Sequence, residues 1–165
     1  MIFVTVGTHE QPFNRLLKYI DEMKRKGLIK EEVIMQTGYS TYKPQYCIWQ
    51  KLYPFQDMHK FVNEARIVIT HGGPSSFIMP LQVGKTPIVV PRQLKYNEHV
   101  NDHQIMFCDA VEQRQGSIIV VKDVNDLITV INNYNSLIES MPNEIKSNNA
   151  SFCTELETII NGFFK

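Results

Sequence analysis

The sequence as a whole has no surplus of one charge: Lys plus Arg and Asp plus Glu number 17 each, and the formal net charge is zero. Nucleic-acid binding needs a basic face, so nucleic acid is not an expected partner. Cysteine is scarce. Cys47, Cys108 and Cys153 are odd in number and far apart, which argues against a disulfide framework or a zinc ribbon and for reduced thiols in a cytoplasmic protein. No apolar run approaches the roughly 18 residues of a membrane span, and Ile2 to Val6 is too short and lacks the basic flank of a signal peptide. If a membrane matters, another molecule must bring the chain to it. Two familiar phosphate motifs are also missing. No Gly-x-Gly-x-x-Gly follows a strand, and although Gly84-Lys85-Thr86 mimics the end of a P-loop, Met79 stands where its first glycine belongs and Pro87 opens a strand.

What is present fits one soluble globular domain over residues 1–165, with 43% hydrophobic and 21% charged residues. Short β-branched runs alternate with helical patterns. Ile2 to Val6, Val33 to Met35, Cys47 to Trp49, Arg66 to Thr70, Pro87 to Val90 and Ile118 to Val121 read as strands. Between them, Pro12 suits a first helical turn before Phe13, Leu16, Leu17 and Ile20, with Gly27 ending the pattern. Asp57 is read as the cap of a helix burying Met58, Phe61, Val62 and Ala65, and Asp123 as the cap of one carrying Val124, Leu127, Ile128 and Ile131. From Tyr134 to Asn149 a loop is expected, before a last helix whose Phe152, Leu156, Ile159 and Ile160 are expected to pack on the chain's own sheet. Parallel neighbours need right-handed crossovers, so this rhythm specifies an α/β, Rossmann-like parallel sheet with helices on both faces.

In such sheets ligands bind beyond the carboxyl ends of the strands. Three loops there stand out. His71, Gly72, Gly73, Pro74, Ser75 and Ser76 join a strand to an apolar helix, and the amides of Ser75, Ser76 and Phe77 are expected to face a diphosphate at the positive helix end without a metal. The same string also reads as a tight turn whose serines only cap the helix. A second loop offers Glu98, His99, Asn101, Asp102, His103 and Gln104, side chains that grip sugar hydroxyls. His99 and His103 are four apart, but Glu98 precedes the first histidine, so the metalloprotease pattern is not met and no metal is expected. The third loop, Gly7, Thr8, His9 and Glu10, places His9 as the candidate for proton transfer.

The strings His71 to Ser76, Gly84 to Arg92 and Glu98 to Gln104, in that order and spacing and preceded by Phe3-Val4-Thr5-Val6-Gly7-Thr8, resemble the C-terminal domain of glycosyltransferase family 28. The likeness runs from Met1 to about Val121. Within the family it is nearest to small bacterial capsular and exopolysaccharide transferase subunits and to the eukaryotic split N-acetylglucosaminyltransferase acting on dolichol-linked sugars. The resemblance implies the donor-binding half of a GT-B enzyme that takes a UDP-sugar and needs no cofactor. It implies an inverting hexosyltransferase, active with a membrane-associated subunit that binds a lipid-diphosphate-linked acceptor and recruits this chain to the inner face of the membrane. By carry-over, Gly72 to Ser76 hold the diphosphate, His103 and Gln104 contact the donor sugar, and Phe55 to Met58 lie beside the uracil. Many members place a glutamate on the ribose where this chain has Met79, and Glu98 is the suggested substitute.

Other readings of the same residues are a non-catalytic subunit that binds a nucleotide sugar, and a small hydrolase using His71, Asp102 and His103. The second lacks an evident nucleophile.

Overall fold

The structure, a computed structural model, describes residues 1–141 and 149–163. Six parallel strands form one sheet: β1 (Ile2–Thr5), β2 (Val33–Gln36), β3 (Ile48–Gln50), β4 (Ile67–His71), β5 (Ile88–Val90) and β6 (Ile119–Val120), in the order β3-β2-β1-β4-β5-β6. Seven α-helices are described: α1 (Asn14–Arg25), α2 (Phe55–Glu64), α3 (Pro74–Gln82), α4 (His103–Gln115), α5 (Leu127–Asn132), α6 (Tyr134–Glu139) and α7 (Asn149–Phe163).

Side chains of a strand point alternately to its two faces, and both faces here are apolar. Ile2, Val4, Ile67, Ile69 and Ile88 turn to Leu16, Leu17 and Ile20 of α1 and Leu127 and Ile131 of α5. On the other face Phe3, Ile34 and Val68 meet Val62 of α2, while Val89 meets Phe77 of α3 and Cys108 of α4. This is the expected Rossmann-like sheet covered on both sides. The strand order reverses between β1, which starts the run outward through β2, and β4, which starts the run the other way. In register, Thr5 faces Gln36 on one side and Thr70 on the other.

Local chemistry explains most boundaries. Gly27 ends α1 at φ +72°, and the Asp123 carboxylate accepts the Asn125 amide at 3.0 Å, capping the 3₁₀ turn that leads into α5. Asp21, buried on α1, accepts from the Tyr42 hydroxyl at 2.7 Å and from the amides of Gln45 and Tyr46, fixing the loop that delivers the edge strand β3. Lys85 has a structural use. Its ammonium donates to the carbonyls of Val62, Asn63 and Ala65 at the end of α2, where the helix dipole favours a cation.

Four expectations are corrected. Pro12 lies ahead of α1, which starts at Asn14, and Asp57 sits inside the first turn of α2, behind the N-cap Pro54. Residues 134–139 form α6 instead of loop, because burial outweighs the weak local pattern: Tyr134 is 4% exposed and its hydroxyl donates to the Thr86 carbonyl at 2.6 Å. Residues 142–148 of that expected loop lie outside the described residues. The last helix does not pack on the sheet. Leu156, Ile159, Ile160 and Phe163 of α7 are all exposed, Phe163 to 80%. The side chain of Phe152 lies outside the described residues.

Candidate functional site

Where β1 and β4 part, the backbone leaves a crevice, the usual ligand position in an open parallel sheet. A cleft of about 400 Å³ opens there. Gly7, Thr8, His9, His71, Ser75 and Ser76 form its polar side, and Met58, Val62 and Met79 give it an apolar wall. The loops after β1 and β4, singled out from sequence separately, thus converge on one space.

His71 organises the polar side. It ends β4, is 8% exposed, accepts the Gly73 amide on Nδ1 at 2.9 Å and meets the Ser76 hydroxyl through Nε2 at 2.8 Å. Burial first, and then the nearby Arg92 cation, push its pKa down to about 4, so the ring is neutral near pH 7. Its flanking glycines have a reason other than ligand approach. A Cβ on Gly7 would stand 2.3 Å from Nε2 of His71, and one on Gly72 would stand 2.9 Å from the Cys108 sulfur.

The loop amides are mostly spent. Gly72 donates to Oε1 of Gln104 at 3.1 Å, Gly73 to His71, and Ser76 to the Gly73 carbonyl at 3.0 Å. The Ser76 amide therefore does not face the cleft as expected from sequence. Among the described residues the Ser75 amide has no internal acceptor, and it stands in the first turn of α3 with Pro74 ahead of it.

His9 lines the cleft beside His99, with ring centroids 4.9 Å apart. Its Nδ1 accepts the Gln11 amide at 3.1 Å, so the neutral ring carries its proton on Nε2. Burial, then Arg92 and His99, lower its pKa. In this arrangement His9 offers a donor, whereas a general base needs a lone pair.

The second loop stands behind the cleft. Phe55, Glu98, His99, His103 and Gln104 are not among the lining residues. Oε1 of Gln104 bridges the amides of Gly72 and Arg92, tying the loop after β4 to the loop after β5. Glu98 is 2% exposed and paired: Arg15 grips both its oxygens at 2.9 Å, and Oε2 also accepts the Gln93 amide. In this arrangement its oxygens face Arg15 and Gln93 and not the cleft. His99 faces Asn101, whose side chain also accepts the His103 amide, and the His103 ring lies over Phe107 at the exposed start of α4. Phe55, 72% exposed, begins α2 beside His59.

Three residues went unrecognised in the sequence. Arg92 is 1% exposed and forks onto the carbonyls of Val6, Gln11 and Glu98, fixing the path of the loop that carries His9. Thr5 and Gln36 line the cleft floor, where Gln36 donates to Thr5 Oγ1 at 3.1 Å and accepts the Tyr53 amide. The available signal was a polar residue closing an otherwise apolar strand, as Thr5 and Gln36 do, and a charge two residues past one, as Arg92 is.

Residues 1–158 match the glycosyltransferase family 28 C-terminal domain. No curated protein matches the sequence. Among solved structures, the glycotransferase of kitacinnamycin is similar with a TM-score of 0.57 and 16% identity, covering 84% of this chain and 36% of its own. The glycosyltransferase SnogD from Streptomyces nogalater is similar with a TM-score of 0.50 and 14% identity, covering 86% and 40%. The chain thus spans well under half the length of either enzyme.

Proposed function

Because this chain belongs to the glycosyltransferase family 28 C-terminal domain family, we propose that it binds a UDP-sugar and serves as the donor half of an inverting hexosyltransferase. The observation that carries this reading is the two-sided cleft at the β1/β4 switch: Met58, Val62 and Met79 suit the nucleoside, and Thr8, Ser75 and Ser76 suit the diphosphate. With Met79 on the wall and Glu98 held by Arg15, ribose recognition falls to other groups.

In the proposed reaction an acceptor hydroxyl attacks the anomeric carbon and the bond to the diphosphate oxygen breaks. The bonding pair leaves with UDP, where the Ser75 amide and the positive end of α3 stabilise the growing charge. The acceptor's proton goes to His9 only if Nε2 is freed of its hydrogen, and otherwise to a base outside the described cleft, whose lining contains no carboxylate.

We further propose that the acceptor is a lipid-diphosphate-linked sugar held by a membrane-associated partner in capsular or exopolysaccharide synthesis. One observation supports a second body: α7 offers Leu156, Ile159, Ile160 and Phe163 uncovered. The test is transfer from UDP-sugars to a lipid-diphosphate-linked acceptor, with and without the partner. Full turnover by the chain alone, unchanged on adding the partner, would sink the split-enzyme reading. The missing base also favours a second reading, a subunit that only binds the nucleotide sugar. Transfer by the reconstituted pair that persists after Ser75 and Ser76 are replaced would favour it.

A further inference from the structure

A backbone amide can only donate, so the Gly73 N–H at 2.9 Å from Nδ1 requires a lone pair on that nitrogen of His71. A neutral imidazole then carries its proton on Nε2, and the 2.8 Å contact with Ser76 is a bond donated by the ring to Oγ. The Gln104 side chain also reaches this ring, but its Oε1 already accepts the Gly72 and Arg92 amides, which leaves Nδ1 to the Gly73 N–H. Ser76 accepts through one lone pair, and its hydroxyl hydrogen has no protein acceptor among the described residues, although the residue lines the cleft.

We propose that His71 is a positioning residue: as a fixed Nε2–H donor it keeps the Ser76 hydroxyl from donating back to the ring, so that its one hydrogen stays free for an acceptor-only, anionic oxygen in the cleft. Resting on the donor-site reading, this assigns the hydroxyl to a phosphate oxygen of the UDP-sugar. The arrangement is built into the turn. His71 is fixed between Gly7 and Gly73, each lacking the Cβ that would strike its ring, and α3 carries Ser76 one turn on from Gly73. Protonating Nδ1 would set two hydrogens against each other at the Gly73 amide, so the ring keeps this tautomer across ordinary pH. Water or a sugar hydroxyl could meet Ser76 in either sense, but an ionised phosphate accepts only, and bonds to charged groups are the stronger ones.

The test is a double-mutant cycle on UDP affinity by calorimetry, with imidazole nitrogen NMR of the unliganded protein beside it. Ser76→Ala is expected to weaken UDP about tenfold, the scale of one hydrogen bond to a charged group. His71→Asn, which keeps an acceptor for Gly73 but falls short of Ser76, should lose as much, and the double variant no more than either single one. His71→Gln, with an amide hydrogen near the place of Nε2–H, should recover most of the affinity. The resonances should show the proton on Nε2 at neutral pH in the free protein. Losses that add in the double variant would overturn the relay in favour of mere space filling, as would an unchanged affinity in Ser76→Ala or a proton found on Nδ1. Failure of the unmodified chain to bind UDP would overturn the donor-site reading and the hydroxyl's assigned target with it, whatever tautomer NMR reports.

Discussion

Gly73 has no side chain because His71 occupies the place one would take: a Cβ there would lie 2.2 Å from Cε1 of the imidazole. Gly7 and Gly73 are therefore tied first to a histidine, and through it to any ligand. Gly84, at φ +72° but with open space around it, is the natural contrast.

Gly73→Ala should displace His71 and cost about 1–3 kcal/mol of stability, the usual scale of overpacking, together with most of the UDP affinity. Gly84→Ala should cost about 1 kcal/mol from backbone strain alone and leave UDP binding intact. Urea denaturation and calorimetry on both variants check this. Equal behaviour of the two would mean that the ring does not constrain Gly73.

Glu98→Gln should weaken the fold and spare the ligand. It removes the charge that Arg15 grips, at a cost of about 1.5–3 kcal/mol, while UDP affinity stays within about twofold, since Glu98 is not on the cleft wall. A large affinity loss at unchanged melting temperature would return Glu98 to the ribose.

Arg92→Lys should fail as a conservative change. A lysine cannot fork onto the Val6, Gln11 and Glu98 carbonyls, and the expected loss is about 2–4 kcal/mol by chemical denaturation. Wild-type stability in this variant would show that the loop carrying His9 is held by other means.

Acid should destabilise the protein through His71. Its pKa falls from 6.5 in the unfolded chain to about 4 in the fold, so the unfolded state binds the proton first as pH drops. The contribution is complete above pH 6.5 and declines from there to about 4, by about 3 kcal/mol in all. His9, also lowered, adds in the same direction. Denaturation midpoints from pH 7.5 to 4.5 should fall for the wild type and fall less for His71→Gln. Parallel curves would remove His71 as the cause.

UDP binding should survive a chelator. The cleft lining offers hydroxyls, an amide side chain and imidazoles but no carboxylate, a poor donor set for magnesium or manganese. Affinity measured in excess EDTA should match that in magnesium, and strict dependence on the metal would contradict the helix-end site.

Strand positions, the two-faced sheet and the strand-to-helix turn from His71 to Ser76 were legible because each rests on local pattern: β-branched runs, a helical stripe, glycines before Pro74. What was not legible depends on distant parts of the chain. Glu98 reads as a free sugar-binding carboxylate until Arg15, 83 residues away, is seen to hold it. Gln104 reads as a sugar contact until its oxygen is found between two amides. The tautomer of His9 depends on one amide two residues on, a geometry that residue types alone do not fix. Tyr134 drew its segment into a helix by burial, and α7 has a stripe like any core helix yet is uncovered.

The central place of β1 also bears on how the protein is made. Ile2 to Thr5 leave the ribosome well before β4, on which one flank of this strand waits for roughly 65 residues. At about 5–20 residues per second that is roughly 3 to 13 seconds of translation, during which Ile2, Phe3 and Val4 have no partner on that flank. His71 closes the interval, since the same stretch of chain that completes the sheet sets its ring over Gly7. A nascent chain stalled before that point presents an apolar strand edge, the kind of surface that holding chaperones recognise.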